Sequence, residues 1–233
     1  MNWIRRRRPL SLHRLKRDRS AADFLPRVKT LPALKKAAAS CEGCDLYKRA
    51  TQTVFGEGPK DALVVFVGEQ PGDYEDKAGH PFVGPAGRMF DKALAEARLD
   101  RAKVYVTNAV KHFKWKPMGK RRKHERPLAS EMAACFPWLE SELAAIRPHI
   151  LVCLGATAAQ STLKKKVAIQ KERGTFQESP LAPATFVTVH PSSIYRHPEK
   201  QQQELEYRRF VGDMKLVRAK LAELEKKHVR LAG

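Results

Sequence analysis

The sequence predicts an α/β protein, a three-layer α/β/α domain built on a central four-stranded parallel sheet. Two observations support that expectation. Four short runs are continuously apolar: Leu63-Val64-Val65-Phe66-Val67, Val104-Tyr105-Val106, Ile150-Leu151-Val152-Cys153-Leu154 and Phe186-Val187-Thr188-Val189. Stretches with helical spacing separate them. Strands covered on both faces read as unbroken apolar runs, and parallel neighbours need helical crossovers between them.

In chain order, residues 1 to 30 read as a basic, flexible arm, since they are rich in Arg and Lys and poor in periodicity. An organellar transit peptide has a similar composition, while the apolar core of a secretory signal is missing there. A single domain is expected over residues 31 to 228. It opens with a short helical segment leading into Cys41 and Cys44, and the first strand follows. Pro85 to Ala97 suits a helix, with proline in its first turn where no amide donor is needed. After the second strand, Lys111 to Pro127 crowds Lys114, Lys116, Lys120, Arg121, Lys123 and Arg126 into a segment without clear periodicity, which reads as a surface loop. Helices are expected at about Ser130 to Ile146 and, after Gly155, at Ala156 to Leu163. Near the end Tyr207, Phe210, Val211, Met214, Val217, Leu221 and Leu224 fall on one helical stripe, a packing face, before a tail at 229 to 233.

The charge balance narrows the partners. With 45 Lys and Arg against 25 Asp and Glu, the formal charge is +20, which points to a polyanion and first to nucleic acid. A membrane partner is not expected. No apolar run nears the roughly 18 to 20 residues that cross a bilayer, and the charge lies on tails and a loop rather than on a basic amphipathic helix. Four cysteines, two of them in Cys41-Glu-Gly-Cys44, favour metal or cluster ligation in a reducing compartment, so a cytoplasmic, nucleoid-associated monomer is expected.

Chemistry is expected where strands end. Gly68-Glu69-Gln70-Pro71-Gly72 follows the first strand, Thr107-Asn108 the second and His190-Pro191-Ser192-Ser193 the fourth. Ligands bind beyond the carboxyl ends of strands in open parallel sheets, so Glu69, Asn108 and His190 should share one crevice.

These motifs, together with Gly79-His80-Pro81-Phe82-Val83-Gly84-Pro85-Ala86-Gly87, resemble the uracil-DNA glycosylase superfamily over roughly residues 40 to 218. The iron-sulfur, family 4-like group usually has Ala where Gln70 stands and lacks the long basic insertion. Gln70 and Lys120-Arg121-Arg122-Lys123-His124-Glu125-Arg126-Pro127 look instead like the UdgX branch, whose members become covalently attached to uracil-containing DNA.

The resemblance implies that Phe82 stacks on a flipped base and that Asn108 pairs with its polar edge. Leaving such an edge unpaired costs about 1 to 3 kcal/mol. Gln70, Arg122 and Ser192 join as substrate-binding residues, with Arg122 either holding His124 or gripping a phosphate. His190 would donate to the carbonyl that gains charge as the glycosidic bond breaks, a role whose loss typically costs about 100-fold in rate. His124 would add to the sugar carbon through one imidazole nitrogen while Glu69 takes the proton from the other.

The same resemblance implies a [4Fe-4S] cluster. Cys41, Cys44 and Cys135 supply three ligands, and His112 stands where the group usually has its further cysteine. Cys153 is the competing fourth ligand, but it sits inside an apolar strand and is read as structural. A tetrahedral zinc would accept the same donors. Two alternatives remain open at this point: a turnover glycosylase that uses water, with uracil-containing single- or double-stranded DNA as substrate in either case, and a non-catalytic iron-sulfur nucleic-acid-binding protein.

Overall fold

A computed structural model describes residues 19–232, without the side chains of 227–232. Residues 1–18 of the expected arm lie outside the described residues. In the rest of that stretch, a 3-10 turn at Ala21–Phe24 is capped by Ser20, and Ala21 is buried against the domain.

The elements in order are α1 (Leu31–Ala38), β1 (Val64–Gly68), α2 (Asp73–Ala78), α3 (Pro85–Glu96), β2 (Val104–Asn108), β3 (Trp115–Met118), β4 (Arg121–His124) and α4 (Ala129–Ile146). They continue with β5 (Ile150–Leu154), α5 (Ala156–Leu163), α6 (Ile169–Glu172), β6 (Thr175–Ser179), β7 (Ala182–Thr188), α7 (Pro191–Tyr195) and α8 (Lys200–Ala232). The three-layer α/β architecture holds, with one correction to the sheet. It has five strands in the order β2-β1-β5-β7-β6. Four are parallel, and β6 pairs antiparallel with β7 as an edge. The residues Thr175-Phe176-Gln177-Glu178-Ser179 show no unbroken apolar run because an edge strand with exposed residues needs none.

β1, β2 and β5 are buried along their whole length, so side chains from both faces of the sheet enter the core. One cluster joins β1, β2, β5 and β7 to α3 and α8 and includes the expected stripe residues Tyr207, Phe210, Val211, Met214 and Val217. The opposite face packs against α4 and α5. A third cluster ties α1 and the Cys41 segment to Cys135 and Trp138 of α4.

The basic segment departs from the expected loop. Lys111, His112 and Phe113 at its start are buried, and beyond them β3 and β4 form an antiparallel hairpin with Trp115 paired to His124 and Lys116 to Lys123. A hairpin whose strands are mostly exposed and cationic has no apolar alternation for the sequence to display.

The order of the parallel strands places a topological switch at β1. The chain leaves β1 towards β2 and returns on the other side as β5, which opens a crevice at the carboxyl ends of β1 and β5.

Candidate active site

Glu69, Asn108 and His190 converge on that crevice. Asn108 ends β2 beside Gly68 of β1, buried with 3% exposure. A Cβ at position 68 would stand 2.3 Å from Asn108 Oδ1 and 3.0 Å from Phe82 Cζ, so only glycine leaves both groups in place. Phe82 adopts a positive φ of 60°, which is rare for a bulky residue and settles most often at functional positions. Gly87 permits it: a Cβ there would lie 1.7 Å from the Phe82 carbonyl oxygen. The Phe82 ring lies nearly parallel to the His190 imidazole, 6.3 Å between centroids. Together with Asn108, these two rings line a cavity of about 130 Å³ that suits a single base.

His190 caps α7. The Ser192 amide donates to its Nδ1 at 3.1 Å, and the Ser192 hydroxyl lies 2.8 Å from the same nitrogen. An Nδ1 that accepts the amide bond leaves the ring proton on Nε2, which makes Nε2 a donor. Burial lowers the imidazole to about 4, against an opposing pull from Glu69, so the ring is neutral at physiological pH. Ser192 therefore contributes by fixing a tautomer, and its hydroxyl also receives a bond from Arg196.

Glu69 follows β1 and faces the hairpin. Its Oε1 is 3.3 Å from His124 Nε2, and its Oε2 accepts from the Thr157 hydroxyl at 2.5 Å. Burial opposes ionisation of this carboxyl. The bonds from His124 and Thr157 and the nearby imidazoles outweigh it and hold the group below its ordinary value. His124, on exposed β4, thus reaches the mouth of the buried pocket.

The hairpin is fixed at its base by Gln70 and on its flank by Arg122, with Trp115 Nε1 donating to Arg49 O at 2.9 Å beside them. The Gln70 amide donates to Lys114 O at 3.2 Å and Glu125 O at 2.9 Å, while its Oε1 accepts from the Lys114 amide at 3.0 Å. These bonds clamp the two strands at their base, and Gln70 also lines the pocket with Phe82, Asn108 and His190. Arg122 lies between Phe113 and Trp115, its guanidinium carbon 5.4 Å from each ring centroid. It donates to Asp73 and, at 2.6 Å, to the fully buried carboxylate of Asp76. A guanidinium so engaged holds β4, and His124 with it, against α2, the first of the two roles expected of Arg122.

Sequence reasoning missed further parts of the site. Glu75 lines the pocket, its carboxylate held by the amides of Gly72 at 3.1 Å and Gly84 at 2.7 Å. Lys111 and Glu142, both with no side-chain exposure, form an ion pair, and Lys111 Nζ also donates to Asn108 O at 2.8 Å. Glu142 accepts in addition from Gly56, Tyr105 and Thr107, so the pair is fully satisfied. Thr157 had a readable signal, since Gly155-Ala156-Thr157 follows β5 as Gly68-Glu69 closes β1.

The cysteines divide as the strand pattern indicated. Cys153 is buried in β5 and lies 2.9 Å from the Thr162 hydroxyl. Cys41, Cys44 and Cys135 share the third cluster, and Cys135 is pushed up to about 12 by burial. Among the described residues, no three His, Cys, Asp or Glu side chains form a site for one metal ion. Two of these sulfurs nonetheless receive donors: Trp138 Nε1 at 3.2 Å and the Gly43 amide at 3.4 Å bond Cys41, and the Lys111 amide bonds Cys135 at 3.2 Å. Thr53 gives its proton to Ala38 O and receives His112 Nε2 at 2.9 Å, which leaves the His112 Nδ1 lone pair unused. Amide donors aimed at sulfur and a neutral imidazole fit thiolate and imidazole ligation of iron.

A doubly wound sheet carrying an acid, an amide and a neutral imidazole around a base-sized pocket defines a nucleic-acid base-processing site. The chain belongs to the uracil DNA glycosylase superfamily, whose model matches residues 55–215. It is 35% identical over 180 residues, 77% of this chain and 90% of the relative, to the type-4 uracil-DNA glycosylase of Thermotoga maritima. It is 41% identical over 133 residues to that of Archaeoglobus fulgidus, covering 57% of this chain and 63% of the relative. With that of Sulfurisphaera tokodaii the identity is 34% over 179 residues, 72% and 77% of the two chains.

Proposed function

We propose that this protein excises uracil from DNA and then retains the sugar, His124 becoming bonded to the carbon that the base has left. The supporting observation is the 3.3 Å approach of His124 Nε2 to Glu69 Oε1, which brings a nucleophile on the hairpin to the mouth of the base pocket. In this reading Phe82 stacks on the extruded base and the Asn108 amide pairs with its edge. His190 Nε2–H donates to the base oxygen that gains negative charge as the glycosidic bond breaks, and uracil departs with the bonding electrons. One imidazole nitrogen of His124 then forms the new bond to the electron-poor sugar carbon, and Glu69 accepts the proton from the other. Loss of that proton leaves a neutral N-alkylated imidazole, a poor leaving group, so the protein is consumed with its lesion. The Gln70 clamp, the Arg122 anchor and the basic hairpin support a place for this chain in the UdgX branch.

Cys41, Cys44, His112 and Cys135 would hold the [4Fe-4S] cluster, which, when bound, staples the α1 segment to α4 and the Lys111 loop. Incubation with a single-stranded uracil oligonucleotide tests the main reading on a denaturing gel. A heat-stable protein–DNA band is the expected result, and released uracil with repeated turnover but no band would overturn it in favour of water as nucleophile, the reading that the type-4 relatives favour.

A further inference from the structure

Thr157 carries out no step of uracil excision or capture, yet its hydroxyl touches the carboxylate that acts as base. It stands in the first turn of α5, where its Oγ1 donates to Glu69 Oε2 at 2.5 Å and accepts from Arg126 Nε at 3.1 Å. Arg126 also donates to Gln160 Oε1 at 3.4 Å, one turn along the same helix. A hydroxyl has one proton, and a guanidinium can only donate. With Arg126 on the oxygen's lone pair, the Thr157 proton is committed to Glu69.

We infer that Thr157, oriented by Arg126, is a positioning residue that occupies Oε2 of Glu69 and thereby presents Oε1 to His124. Three features of the site support this. Glu69 is largely buried, so its orientation is set by partners rather than by water. The charged and titratable groups facing it are His124 from β4, Arg126 beyond β4 and His190 beyond β7, with Arg196 lining the same cavity. Of these, the two nearest cationic or imidazole groups lie on the hairpin side, and Thr157 alone bonds the carboxylate from α5. Arg126 Nε already lies 4.0 Å from Oε2, so without the Thr157 proton that oxygen closes on Arg126 and the proton acceptor loses its fixed direction.

The inference rests on Glu69 acting as the base in uracil processing, and the test separates the two. Single-turnover uracil release and adduct formation are measured from pH 5 to 9 for the native chain, Thr157→Val, Thr157→Ser and His124→Ala. The expected result is that Thr157→Val slows adduct formation by about tenfold at neutral pH, the scale of a missing bond to a charged group. Its acid limb should also move to higher pH, because the carboxylate has lost a donor that favoured ionisation. Thr157→Ser restores both within about twofold. A Thr157→Val protein with the native rate and pH profile overturns the inference. So does a Thr157→Ser protein as slow as Thr157→Val, which would assign the effect to the methyl group. If the native chain releases uracil and forms no adduct, covalent capture by His124 is wrong, and the same comparison of release rates and acid limbs still decides the role of Thr157.

Discussion

Two side chains decide which chemistry follows base release. His124→Ala removes the nucleophile that the hairpin brings to Glu69, and the expected outcome on a denaturing gel is complete loss of the adduct with uracil release retained. Glu69→Gln keeps the shape of the group and its bond from Thr157 but cannot take a proton, so adduct formation should slow by about a hundredfold or more in single-turnover assays. Gly87→Ala acts at a distance from the chemistry. Its Cβ would enter the space of the Phe82 carbonyl, 1.7 Å away, and force the strained Phe82 backbone to move. Overpacking of this kind typically costs about 1 to 3 kcal/mol. A lowered thermal midpoint and a higher protein concentration needed for half-maximal single-turnover uracil release, against a smaller change in the limiting rate, would report the displaced stacking surface.

Among the elements, the hairpin behaves as a separate part fixed at its base by Gln70 and on its flank by Arg122. Arg122→Met keeps much of the apolar stem between Phe113 and Trp115 and removes the bonds to Asp73 and Asp76. The expectation is faster proteolytic cleavage within 115–124 and roughly tenfold slower adduct formation, with uracil release little changed. Retention of the native adduct rate would show that the bonds of Gln70 and Trp115 hold the hairpin without Arg122. This element also marks where reading the sequence stops. The parallel strands and their helices were legible because burial on both faces writes itself as unbroken runs such as Ile150 to Leu154. Glu69, Asn108 and His190 were legible because topology places strand ends together. β3 and β4 were not, since a cationic hairpin held by side-chain to backbone bonds has no hydrophobic period. For the same reason the hydrogen-bond partners of Gln70 and Arg122 were not legible: their residue types announce hydrogen bonding but not with whom. The buried Lys111–Glu142 pair was equally hidden, because a lysine opening a basic stretch looks like its neighbours.

At the scale of the whole molecule, charge and pH set the working conditions. Among the described residues Lys120, Arg121 and Lys123 at the end of the hairpin carry no ion pair, whereas Lys114 and Lys116 are paired with Glu131 and Glu125. Replacing the three free cations with glutamine should lower the magnitude of the salt dependence of duplex binding by about 0.9 for each phosphate no longer neutralised, measured as the slope of log affinity against log salt. Folding stability should fall in acid. The folded His190 ring titrates at about 4 against its ordinary value of 6.5, so between those values the unfolded chain binds the proton first. Stability is therefore lost as pH drops through that window. Thermal midpoints at pH 7 and pH 5 should differ less in His190→Gln than in the native chain. No helix among the described residues is long and apolar enough to cross a membrane, and none of these measurements needs a lipid phase.

The pairing of β3 with β4 imposes a rule of length. Alternate residues of a ribbon share a face, so Arg122 and His124 look to the same side, one gripping α2 while the other meets Glu69. Adding a residue between them would turn the histidine outward even with every anchor intact. Beyond Met118, which pairs with Arg121, the turn is only Gly119-Lys120, and with nothing near Gly119 residues can be added there without touching the anchors. Relatives that share this device should therefore be found by an arginine and a histidine spaced by one residue, closed by a glutamine-clamped base, and not by the number of lysines between them and the preceding strand.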